Sequence, residues 1–105
     1  MRFVETPIFT KIMTGFLDDE EYRSLQIALM LRPEQGPIIR GAGSLRKVRW
    51  AKAGAGKRGG LRVIYYWAPT ETAFYMLYAY AKNEQDDLTP AQARRLGHLV
   101  REEFK

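Results

Sequence analysis

Apolar residues return along this chain with two periods. Near both ends they recur every three to four residues, and in the middle they alternate. "RFVET" (2–6) reads as a short first strand. Thr6 then suits a helix N-cap with Pro7 at the first helical position, and Ile8, Ile12 and Phe16 fall at i, i+4 and i+8 on one face. Gly15 weakens the end of that helix. A stronger helix follows. Asp18 and Glu21 have capping-box spacing, the acids suit the positive end of its dipole, Tyr22, Leu25, Ala28 and Leu29 form its apolar stripe, and Pro33 stops it.

After a linker with glycines at 36, 41 and 43, the period changes to two. In "LRKVRWA" (45–51) Val48 and Trp50 share one face while Lys47 and Arg49 share the other. In "LRVIYYW" (61–67) Leu61, Val63, Tyr65 and Trp67 alternate with Arg62, Ile64 and Tyr66. "PTET" supplies a tight turn into a third run, "AFYMLYAYAKNE" (73–84). The chain then returns to helical spacing: Thr89 is an N-cap, Pro90 takes the first position, Gln92 lies at capping-box distance, and Leu96, Leu99, Val100 and Phe104 supply a buried face. The order is β-α-α-β-β-β-α, an α+β domain spanning 1–105 with an antiparallel meander.

Composition narrows the chemistry. A length of 105 residues fits one domain, and 46% hydrophobic with 12% aromatic residues fits a globular chain. No apolar stretch approaches the roughly 20 residues that cross a bilayer, and Glu5 interrupts any signal-peptide core, so the expected setting is cytoplasmic. With no Cys and one His, neither thiolate nor imidazole metal sites are available, and no cofactor is expected.

The charge is segregated. The formal net charge is +5, yet no acid occurs between Glu34 and Glu71, where Arg40, Arg46, Lys47, Arg49, Lys52, Lys57, Arg58 and Arg62 all lie. One-sign segregation of this kind is the footprint of a polyanion-binding face. A membrane surface fits less well, because these cations sit on apparent strands rather than on an amphipathic helix.

"WAKAGAGKRGG" (50–60) invites comparison with a nucleotide-binding loop. The spacing is wrong: Ala51 and Arg58 occupy the places of the first glycine and of the magnesium-holding hydroxyl, and a strand follows instead of a helix. A β-hairpin connection fits better. Pairing "LRKVRWA" with "LRVIYYW" brings Arg62 onto the face of Lys47 and Arg49, with Tyr66 two pleats further on and Lys82 closing the cluster from the third run. The other face keeps Val48, Trp50, Val63, Tyr65 and Trp67 for the helices. A cationic, tyrosine-bearing face suits single-stranded nucleic acid, with rings for bases and cations for phosphates.

"SLRKVRWA", the Gly/Lys-rich connection, "GGLRVIYYW" and "YAKNE" before a C-terminal helix together resemble the RelE/HigB toxins of type II toxin–antitoxin systems, most nearly the HigB-2-like branch. The resemblance covers nearly the whole chain. It implies two N-terminal helices packed on a small antiparallel sheet with a C-terminal helix. The implied activity is cleavage of messenger RNA in the ribosomal A site, without a metal, neutralised by a cognate antitoxin of the DNA-binding, HigA-like kind. Carried over residue by residue, the basic pair of the second strand falls on Lys47 and Arg49, the arginine contacting the scissile phosphate on Arg62, and the basic residue after the last long strand on Lys82. Arg46, Lys52, Lys57, Arg58, Tyr66 and Asn83 complete the expected RNA contacts. The chain departs from the better-known members in two respects. Asn83 and "QDDLT" (85–89) stand where a further arginine and a tyrosine are found, so the general acid stays open among Lys82, Lys57 and Arg58.

So plain a residue set is adequate for the reaction, because RNA carries its own nucleophile in the 2′-hydroxyl. Fixed Arg and Lys neutralise the developing phosphorane charge, and Lys47, crowded by Arg49 and Arg62, is a candidate base. Asp86-Asp87 reads as a solvated loop, His98 as a surface residue of the last helix, and Arg94-Arg95 as an exposed helix face. Two other readings use the same patch: a non-catalytic nucleic-acid-binding module, and a docking surface for an acidic partner segment.

Overall fold

The computed structural model describes residues 1–51 and 60–104, with side chains through residue 102. The elements follow the expected order: β1 (Arg2–Glu5), α1 (Pro7–Phe16), α2 (Asp19–Leu31), β2 (Arg46–Trp50), β3 (Leu61–Ala68), β4 (Ala73–Ala81) and α3 (Pro90–Leu99). The expected caps are present. Thr6 accepts from the Phe9 amide, and Asp18 with Glu21 and Thr89 with Gln92 form reciprocal capping boxes. Pro7 and Pro90 stand in first turns, where a missing N–H costs nothing.

The strands form one sheet in the order β1-β4-β3-β2. Strands β2, β3 and β4 are the expected antiparallel meander, and β1 adds to β4 in parallel. Thr6 fixes where α1 begins. Its amide donates to Met76 O at 3.0 Å and its hydroxyl to Leu77 O at 2.9 Å. That anchor sets the rotation of α1, which buries Phe9 and Met13, half-buries Ile12 and Phe16, and leaves Ile8 52% exposed. The expected Ile8–Ile12–Phe16 stripe is thus corrected by about one residue.

Helices α1 and α2 cover the sheet face that carries Val48, Leu61, Val63, Tyr65, Phe74 and Met76. The opposite face is not open, contrary to the sequence reading. α3 and the turn around Ala42 pack over Ile64, Tyr75 and Leu77 to build a second core. Contact there is close: a Cβ on Gly97 would lie 3.4 Å from the Ala42 backbone. The segment read as a linker is a working part of this layer. Ile39 donates to Leu45 O and Lys47 to Pro37 O, which seats residues 37–39 along the outer edge of β2.

One irregularity decides what the second face contains. Ile64 pairs with Tyr78 while Tyr65 pairs with Met76, so Leu77 is an extra, bulged residue. Leu77 and Tyr78 both join the second core, and the alternation along β4 changes phase between them. Tyr80 therefore lies on the face of Arg62 rather than under α1. Among the described residues, no helix is long and apolar enough to cross a membrane.

Candidate nucleic-acid interface

Three strands align one row of polar side chains. Arg49 on β2 is the direct partner of Arg62 on β3, and Arg62 is the direct partner of Tyr80 on β4. Direct partners lie roughly 5 Å apart at Cα, so the row spans a distance suited to one phosphodiester and its neighbours. Arg62 is 8% exposed and, among the described residues, forms no ion pair with a carboxylate. Its side chain is thus mostly covered while its nitrogens keep contact with solvent, which leaves the guanidinium accessible to an incoming anion.

Lys47 stands two residues before Arg49 and faces the same way. Its ammonium donates to Asp87 Oδ1 at 3.0 Å. The same oxygen accepts from the Tyr80 hydroxyl at 3.3 Å and from the Leu88 amide at 2.8 Å. Hydrogen bonding by Lys47, then by the Leu88 amide, holds the Asp87 carboxyl below the usual carboxylate range. Burial first, and the Asp87 charge second, push the Tyr80 phenol up to about 12, while Arg62 pulls the other way. Tyr80 thus keeps its proton at neutral pH.

Beside Lys47 opens a cleft of about 790 Å³, walled by residues 35–40, by Lys47, Val48 and Arg49, and by Asp87, Leu88, Pro90 and Ala93 at the start of α3. Arg40, Lys47 and Arg49 line it against one carboxylate, Asp87. Its walls are partly apolar beside these three cations.

The other expected residues distribute unevenly. Lys82 and Asn83 are exposed just past β4, with the Lys82 amide bound to Gly60 O, so Lys82 lies two residues along the strands from the Arg62–Tyr80 pair. Arg46 points to the helix side instead. It donates to the carbonyls of Glu34 (3.1 Å) and Gly36 (2.9 Å) and pairs with the Glu34 carboxylate at 3.2 Å. Tyr66 shares the face of Arg62 but lies four residues along β3, about 13 Å by strand rise. There it stacks against Tyr75 within the second core, apart from the cations. Lys52, Lys57 and Arg58, and the hairpin connection itself, lie outside the described residues. His98 is exposed on the last turn of α3, in a groove shared with Arg95, Leu96, Leu99 and Glu102.

Two residues of this site escaped sequence reasoning. Tyr80 was concealed by the β4 bulge. Asp87 was read as solvated; it is 68% exposed, yet it joins Lys47 to Tyr80. A phenol does reach the site, then, but from the strand and not from the stretch after Lys82.

The comparisons agree with this architecture. The family model described as "RelE toxin of RelE / RelB toxin-antitoxin system" matches residues 17–104. The fold is also similar to that of a double arginine-to-alanine mutant of the E. coli toxin RelE solved in the free state. The TM-score is 0.56 with 11% identity, over 80% of this chain and 85% of that one.

Proposed function

Since the chain belongs to the RelE toxin family, we propose that this toxin of a toxin–antitoxin system is a ribosome-dependent, metal-independent endoribonuclease that cuts messenger RNA in the A site. The observation that carries the reading is Arg62, a largely covered arginine without a carboxylate partner among the described residues, set between Arg49 and Tyr80. In this reading the 2′-hydroxyl gives its proton to solvent water and attacks the adjacent phosphorus in line. A 2′,3′-cyclic phosphate forms, and the 5′-oxygen leaves after gaining a proton. Arg62 holds the scissile phosphate and stabilises the phosphorane, and Arg49 and Lys47 hold the strand beside it. Lys82 adds charge beside the row. Tyr80, protonated at neutral pH, is a donor for the leaving oxygen.

The motif "GKRGGLRVIYYW" with "KNE" supports placement in the HigB-2-like branch. The partners of this reading are the ribosome with its message and a HigA-like antitoxin that covers the cations, and its setting is the cytoplasm. The test is primer extension on a defined message in a purified translation system, comparing wild type with Arg62→Ala. Cuts within A-site codons that vanish in the variant are expected. Binding to the message without cuts by correctly folded wild type would leave a nucleic-acid-binding module that uses the same face.

A further inference from the structure

We infer that Asp87 is an internal counter-anion, occupying on Lys47 the place that an RNA phosphate takes when the substrate binds. The inference rests on the nuclease reading above and adds a residue that tunes affinity at that site. Lys47, Tyr80 and the Leu88 amide all converge on one oxygen of Asp87, within 3.3 Å. An ammonium, a phenol and a backbone N–H gathered on one anionic oxygen form the donor set that a phosphate oxygen would take. The carboxylate is well placed to leave. It is 68% exposed, so water can solvate it once displaced, whereas Lys47 is mostly covered and stays. Asp87 also lines the cationic cleft with Arg40 and Arg49, so a strand bound along those cations lies beside it. Arg62 has no such guard among the described residues. Among the described residues the site therefore holds two open cations, Arg49 and Arg62, and one, Lys47, occupied by an internal anion. Its consequence is a toxin whose idle face is less cationic than its sequence implies, and whose tight binding requires a ligand able to displace a carboxylate.

Asp87→Asn is nearly isosteric, and its carbonyl oxygen can still accept from the Leu88 amide. The decisive measurement is fluorescence anisotropy of a labelled, 2′-O-methylated oligoribonucleotide, which cannot be cut, across a range of salt. Removing an exposed competing charge is expected to tighten binding at low salt by about two- to fivefold. In the wild type Lys47 is already neutralised and releases no counterion; in Asp87→Asn it does. The slope of log K against log salt should steepen by about 0.7, the value of one phosphate contact on a single strand. Affinity and slope equal to wild type would overturn the inference. So would unchanged binding with single-turnover cleavage reduced 100-fold or more, which would make Asp87 a reacting group. Failure of the nuclease reading is seen separately: folded wild type that binds this RNA yet makes no cuts in the primer-extension assay would end that reading, while the binding comparison of wild type with Asp87→Asn still decides the counter-anion role.

Discussion

Arg49 and Arg62 stand directly opposite one another on β2 and β3, with no carboxylate between them among the described residues. Like charges in that position oppose sheet formation by about 0.2–1 kcal/mol. We expect Arg62→Met to raise the urea midpoint by that order and to lower single-turnover cleavage by about 10²–10³. A variant that loses stability and activity together would show Arg62 to be a structural residue.

The Tyr80 phenol is held protonated by burial and by Asp87, up to about 12. Its ionisation is raised in the fold, so its contribution is complete below about 10, the ordinary phenol value, and is lost as pH rises through about 12. Spectrophotometric titration should lose one late-ionising phenol in Tyr80→Phe. Asp87→Asn should lower that phenol in part, since burial is the larger cause. The Tyr22 phenol is raised too, by burial and then Glu5, and serves as an internal reference that neither variant moves.

Gly36 ties the cleft wall to the sheet. Its amide donates to the Tyr65 hydroxyl, which donates in turn to Pro33 O. A Cβ at Gly36 would lie 2.9 Å from the carbonyl carbon and oxygen of Lys47. Gly36→Ala should therefore displace β2 and impair cleavage without touching a cation. Tyr65→Phe leaves the Gly36 amide and the Pro33 carbonyl unpaired and should cost about 1–3 kcal/mol. Hydrogen exchange at Gly36 accelerated in Tyr65→Phe is the corresponding local readout.

Arg46 is engaged by the backbone of residues 34–36. Arg46→Ala should lower stability by about 1–3 kcal/mol through the two carbonyls it abandons. Cleavage per folded molecule, measured well below the unfolding transition, should stay within about twofold, since the cation faces away from the row. A large drop in that rate would return Arg46 to the RNA-binding set.

Caps and periods carry most of the fold, because each is written within a few residues: Thr6, Asp18 and Thr89 identify three helix starts without tertiary help. Segregated charge and strand alternation likewise brought Lys47, Arg49 and Arg62 to one face. What remained hidden depends on distance along the chain. Simple alternation over 73–81 puts Tyr80 with Phe74 and Met76, and the bulge at Leu77 reverses this for reasons of register with β3. Asp87 meets Lys47 across 40 positions, and no local pattern encodes that meeting. Arg46 carries the same charge as its neighbours but the opposite pleat, and the carbonyls waiting for it belong to a turn ten residues away.

The parallel pairing of β1 with β4 has a temporal consequence. Thr6, just past β1, reaches Leu77 across 71 positions, so β1 has no place in the sheet until β4 exists. Closing so long a loop is entropically costly and slows folding. The row of Arg49, Arg62 and Tyr80 likewise needs β2, β3 and β4 together. A partly translated chain therefore lacks the completed row, and the poison is assembled only after β4 has been made.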